Sequence, residues 1–199
     1  MINGIDVSHW NQAIDWTQIK AGGFGFCYMK ATEGVNSLDQ KYAAFAQGAK
    51  ALGILGGAYH FFHPSLDGAA QAEFFLRVMS PLQELPPVLD LETTNMMRVD
   101  SIIRRCLDWL QIVEVATKKI PIIYSSPSFM EQLGNVSAFT RYPLWIAHYG
   151  VKAPRIPAPW TNWTFWQNSE KGKVSGVWGD CDLDVFNGTV DDLTLLGKG

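Results

Sequence analysis

Residues 85–92 read Leu85-Pro-Pro-Val-Leu-Asp90-Leu-Glu92, a short apolar run that ends in two carboxylates. Strand side chains alternate with a period of two, so Asp90 and Glu92 point to the same side, with Cα atoms about 6.6 Å apart. Two acids held that close compete for charge, and near neutral pH one keeps its proton while the other stays ionised. A proton donor beside an anion is the pairing that glycosidic bond cleavage needs. An isolated Asp-Xaa-Glu is more often a strand end facing solvent. The rest of the chain therefore has to decide between a site and surface decoration.

The chain has 199 residues, of which 47% are hydrophobic and 18% charged, which places it among globular proteins with a substantial core. A single domain over 1–199, without a separate second module, is the expectation. The net charge of −3 gives no reason to expect nucleic acid or an anionic membrane as partner. No apolar run approaches the ~20 residues of a membrane helix. Gly4 and Asp6 interrupt any candidate signal sequence. Cys27, Cys106 and Cys181 are an odd number without metal-type spacing, and read as small buried hydrophobes.

Eight apolar segments bounded by turn residues predict strands near 2–7, 24–30, 54–61, 87–91, 120–124, 144–148, 163–167 and 181–186. Helical spacing predicts helices near 38–52, 67–80 and 98–118, and Pro127 favours a short one after the fifth strand. Residues 150–162 are rich in proline and read as loop. Strands with helical crossovers predict a closed parallel barrel, made irregular by few helices in the last third.

In such a barrel the active site forms where the strands end. The strand ends carry Asp6, Lys30, Tyr59, Asp90 with Glu92, Tyr124, Trp145 with His148, Gln167, and Asp182 with Asp184. Polar or aromatic residues at the same end of so many strands favour a catalytic cleft. His9, His60, His63 and His148 lack the paired spacing of a zinc motif, and no metal or cofactor is expected. Ser8 and Ser125 lack a nucleophile elbow, and no glycine-rich phosphate loop is present.

Across nearly its whole length the chain resembles the family 25 glycoside hydrolases, the N-acetylmuramidase type of lysozyme. The matching segments are Gly4-Ile-Asp-Val-Ser8, Ile14-Asp-Trp16, Lys30-Ala-Thr-Glu-Gly34, Gly57-Ala-Tyr-His-Phe-Phe62, Leu89-Asp-Leu-Glu92, Trp145-Ile-Ala147, Phe165-Trp-Gln167 and Asp182-Leu-Asp-Val-Phe-Asn-Gly188. The resemblance implies an α/β fold, an irregular eight-stranded (β/α) TIM-like barrel. It implies cleavage of the β-1,4 bond between N-acetylmuramic acid and N-acetylglucosamine in bacterial peptidoglycan. It also implies Glu92 as general acid, Asp90 as the neighbouring acid, Asp6 and Asp182 as further acids, and Tyr59, Tyr124, Trp145 and Gln167 around the reacting sugar. Lys30 and His148 complete the expected binding set. The chain departs from the family pattern at Asp184, where members often carry Asn, and at Asn11-Gln12, where they often carry Gln-Gly.

Mutual repulsion of the acids predicts that the least solvated one, expected to be Glu92, holds the proton. Attack by a carboxylate, an inverting water, or the substrate's own N-acetyl group are three routes to the product, and the third suits adjacent Asp and Glu best. A carbohydrate-binding module and a metal-dependent barrel hydrolase are the competing readings. A monomer is expected, synthesised without a signal peptide and acting on the cell wall in the manner of a phage or prophage lysin, or after export by another route.

Overall fold

The computed structural model describes residues 1–81 and 83–198. The strands are β1 (Ile2–Val7), β2 (Phe26–Glu33), β3 (Ser37–Leu38), β4 (Leu55–Phe61), β5 (Val88–Asp90), β6 (Ile122–Ser125), β7 (Leu144–Ala147), β8 (Phe165–Gly172) and β9 (Cys181–Phe186). Eight of them close a ring in the order β1-β2-β4-β5-β6-β7-β8-β9, with β9 pairing back onto β1. The two-residue β3 is an appendage antiparallel to the end of β2.

Seven ring strands are parallel, whereas β9 is antiparallel to both neighbours. This corrects the expectation of a wholly parallel barrel. Residues 173–180 are too few for a crossover helix, which takes a dozen residues or more, so the chain can only return as a hairpin. Asp182 therefore reaches the mouth from the beginning of its strand, not the end.

Helices α1 (Trp16–Ala21), α2 (Tyr42–Ala51), α3 (Gly68–Val78), α4 (Val99–Thr117), α5 (Pro127–Leu133) and α6 (Val190–Leu196) surround the ring. Asp67 caps α3 and Ser126 caps α5 through their side-chain oxygens. α2 begins at Tyr42, later than its periodicity suggests, because residues 37–38 pair with β2. No helix joins β7 to β8, as the proline-rich segment predicts.

Alternation along the strands separates two apolar bodies. Phe26, Tyr28, Val88, Ile122, Tyr124, Trp145, Phe165 and Phe186 point inward and fill the barrel. Their sequence neighbours, such as Cys27, Met29, Leu89, Leu91 and Ile123, point outward against α2, α3 and α4. Gly4 and Gly57 make room for the inner rings, since a Cβ would lie 2.3 Å from the Phe26 ring and 2.0 Å from that of Tyr28. All three cysteines are free and buried. Among the described residues no helix is long and apolar enough to cross a membrane.

Candidate active site

The apolar filling stops short of the mouth, and a cavity of about 240 Å³ opens above it. β1 delivers Asp6, β4 Tyr59, β6 Tyr124, β7 Trp145, β8 Gln167 and Glu170, and β9 Asp182. β5 delivers Val88 and Asp90, with Glu92 just beyond its end. Tyr149, from the loop after β7, completes the lining. Val88, Asp90 and Glu92 face the cavity while Leu89 and Leu91 face the outer core, as the period of two requires.

Gln167 organises one wall. Its Nε2 donates to Asp6 Oδ2 at 2.6 Å. Its Oε1 accepts from the Tyr124 hydroxyl at 2.7 Å and the Tyr149 hydroxyl at 2.5 Å. Two phenols on one side fix which end of the amide faces Asp6. Trp145 is 2% exposed, lies on Tyr28 with ring centroids 4.8 Å apart, and donates its indole N–H to Asp184 Oδ1 at 3.0 Å.

The acids fall into two groups. Asp182, Asp6 and Asp184 stand within hydrogen-bonding range in series. Burial, together with the charge of Asp184, holds Asp6 well above the usual carboxylate range. Asp184 is raised by its own burial. Asp182 is pushed up to about 8, by burial first and by Asp6 next. The second group is Asp90 with Glu92. Asp90 is buried and its carboxyl is raised, by desolvation first and then by the Glu92 charge. Asp90 Oδ1 and Asp184 Oδ2 are buried without a hydrogen-bond donor among the described residues. An ionised oxygen in that position is costly. A protonated carboxyl relieves that cost, in keeping with the raised Asp90 and Asp184 carboxyls.

This ordering reverses the expectation for the β5 pair. Glu92, expected to be the least solvated acid, is exposed, and Asp90 is the desolvated member whose carboxyl burial raises. Lys30, expected at the binding surface, does not line the cavity. Its ammonium is 2.6 Å from Glu33 Oε2, and it reaches Asp90 only through its field, which opposes the rise. His148 also lies outside the cavity. It lines an adjoining groove that shares Glu92, Tyr124, Tyr149 and Glu170 with it and also carries Arg155. Asp184 lies on the same side as Asp182 but deeper, as alternation requires. His60 points away from the mouth into the layer under α3 and α4, bonded to Thr32 and Gln71, with burial lowering it to about 3. Among the described residues no group of three or more His, Cys, Asp or Glu is placed to hold a metal ion.

Tyr149, Glu170 and Val88 line the cavity without having stood out in the sequence. Val88 was legible, since it precedes Asp90 by two positions on the same strand. Glu170 lies on β8 beyond the expected strand end at 167. Tyr149 sits in a loop, where no periodicity announces direction.

The profile of "Glycosyl hydrolases family 25" matches residues 5–177. YegX of Escherichia coli strain K12 is 39% identical over 205 residues, covering 100% of this chain and 74% of the relative. Lysozyme M1 of Streptomyces globisporus is 36% identical over 215 residues, covering 99% and 71%. The crystal structure of the bacterial lysozyme from Streptomyces coelicolor superposes with a TM-score of 0.94 at 35% identity, covering 98% of this chain and 96% of that one. With an eight-stranded barrel, an acid-lined mouth and a match over most of its length, the chain belongs to glycosyl hydrolases family 25 and is a glycoside hydrolase of the lysozyme type, acting on peptidoglycan.

Proposed function

We propose that the chain cleaves the β-1,4 bond between N-acetylmuramic acid and N-acetylglucosamine, with Glu92 as general acid and base and Asp90 as the residue that orients the substrate's N-acetyl group. The observation that carries this reading is the Asp90–Glu92 pair, one carboxyl buried and one exposed, at the edge of a single cavity. The cavity is smaller than the ~300–1,000 Å³ of sites for drug-sized ligands. It suits one ring of a polymer whose other units lie outside.

Substrate binding rearranges the proton of this pair. A sugar seated in the cavity strips water from Glu92, which favours its neutral form. The acetamido N–H offers Asp90 a donor, which favours its ionised form. Both effects push the proton along the hydrogen bond from Asp90 to Glu92. Glu92 then gives it to the glycosidic oxygen as the C1–O bond breaks, and the acetamido oxygen closes onto C1. Asp90 holds the N–H of the resulting cationic ring. A water then adds to C1 while Glu92 takes one of its protons, the acetamido group is restored, and the configuration is retained. No step calls for a metal.

Digested peptidoglycan analysed by mass spectrometry tests the reading. New reducing ends on N-acetylmuramic acid are expected, and ends on N-acetylglucosamine or cleaved peptides would overturn it. Proton NMR of the first-formed anomer tests retention, with the β anomer expected. Activity that survives chelation removes the metal-dependent alternative, and release of reducing ends removes a purely binding role. The enzyme would meet its substrate outside the cytoplasm, after phage-type release or another export route.

A further inference from the structure

Two tryptophans stand almost wholly in solvent, Trp10 at 81% exposure and Trp178 at 77%. A single exposed hydrophobic residue is ordinary. These two stand in neighbouring loops. Asp6 and Asp182 pair directly across the β1–β9 seam, and Trp10 follows the first by four residues while Trp178 precedes the second by four. Because β9 runs antiparallel to β1, both loops leave the barrel at its mouth. The loops are tied to each other: Asn11 Nδ2 donates to the Asp180 carbonyl at 3.2 Å, Asp15 N–H donates to the Gly176 carbonyl at 2.8 Å, and Ile14 bridges Val177. Four residues span at most ~14 Å, so both positions lie within reach of the sugars next to the one in the cavity.

Trp10 is also held in place. It sits in a tight turn in which Asn11 N–H donates to the Ser8 carbonyl and Ser8 N–H to Asn11 Oδ1, both at 2.9 Å. Its ring lies 4.6 Å from that of His9, whose Nδ1 is 2.8 Å from the buried Asp39 carboxyl. An indole that is solvent-exposed yet fixed offers a flat apolar face at small ordering cost. Sugar rings present apolar C–H faces, and the acid cavity, at about 240 Å³, has the size of one ring of the chain.

We propose that Trp10 and Trp178 form a distal subsite that stacks against sugar rings of the glycan strand being cut in the acid cavity. The inference rests on the muramidase reading and extends it to the units beyond the scissile bond. The test uses Trp10→Ala, Trp178→Ala and the double variant on peptide-free glycan strands of increasing length. KM is expected to rise about 5- to 10-fold for each tryptophan on long strands, to rise more as strands lengthen, and to change more than kcat. A change in KM independent of length, no change, or a change seen only with peptide-bearing strands overturns the subsite. Both residues are exposed, so the melting midpoint serves as the control for folding. A second measurement does not need turnover: the indole fluorescence of Glu92→Gln should change on titration with long peptide-free strands, and the added Trp10→Ala and Trp178→Ala substitutions should remove the part of the change that grows with strand length, leaving that of Trp145 in the cavity wall. If the unsubstituted enzyme releases no reducing ends the muramidase reading fails, while the titration still decides whether these tryptophans bind a glycan.

Discussion

Asp6 of β1 and Asp182 of β9 are direct antiparallel partners. Opposed residues of such a pair share one face, and like charges there destabilise the sheet. The barrel keeps the pair because Asp182 is pushed up to about 8, so that at neutral pH it holds a proton and donates to its partner. The consequence for stability has a definite sign. A carboxyl whose folded value lies above its unfolded one stabilises fully at low pH, and that contribution is lost as pH rises from the ordinary 3.8 towards about 8. Asp182→Asn keeps the hydrogen bond and cannot ionise. Its stability relative to the unsubstituted protein should therefore grow between pH 4 and 8 in denaturant unfolding. A difference that is flat or shrinks with pH rejects the shared proton.

Glu92 stands at the exposed end of the β5 pair, where replacement disturbs no packing. Glu92→Gln removes the transferable proton and keeps the shape. The rate of reducing-end release from cell walls should fall at least ~100-fold, with the melting midpoint intact. A variant that keeps more than about a tenth of the activity would remove Glu92 from the role of acid.

Asp90→Asn deprives the pair of the buried position in which its proton is stored. Burial is the first cause of the raised Asp90 carboxyl, so the substituted pair should lose its proton at lower pH. The basic limb of kcat/KM should move down the pH scale. The maximal rate should also fall, because the cationic ring loses its counter-charge. An unmoved basic limb on a soluble muropeptide would show that the two carboxyls do not share a proton.

Trp145 is a cavity wall and a core residue at once, since it lines the site at 2% exposure and packs on Tyr28, Tyr124 and Phe165. Trp145→Ala should cost about 3–5 kcal/mol, or roughly 6–20 °C of melting temperature in a chain of this size. Activity per folded molecule should fall too. Loss of only one of the two properties would assign Trp145 to that role alone.

Tyr124 and Tyr149 both donate to Gln167 Oε1. Either Tyr→Phe change leaves one donor, enough to keep Nε2 on Asp6. The double change frees the amide to turn. The loss of kcat/KM in the double variant should exceed the product of the single losses, a coupling of about 0.5–3 kcal/mol. Strict multiplication would mean that Gln167 is held by its packing.

Alternation makes the β5 site legible in the sequence, because an apolar run ending in Asp-Leu-Glu has only one face on which to place both acids. It also separates the inner rings from the outer core. Solvation is not legible: by sequence Asp90 and Glu92 are equals, and only the barrel wall around the first and the open mouth above the second decide which holds the proton. The direction of β9 escapes for a related reason. Strand periodicity reads the same in both directions, and the eight residues of 173–180 speak against a crossover only through their length. α1 and α6 go unpredicted although Asp15 and Thr189 cap them. Six or seven residues do not complete two turns of a helical stripe. Tyr149 and the position of Lys30 depend on a loop and an ion pair, neither of which leaves a period in the sequence.

The reversed last strand has a consequence for tethering. β1 starts at the floor of the barrel and climbs to the mouth, while β9 descends, so that Ile2 lies beside Phe186. Ile2 and α6 thus lie at the face turned away from the cleft, where α6 packs below Leu55 and Leu85. A leash attached at either end would leave the glycan path unobstructed, and immobilising the enzyme through its termini should present every copy with its mouth outward.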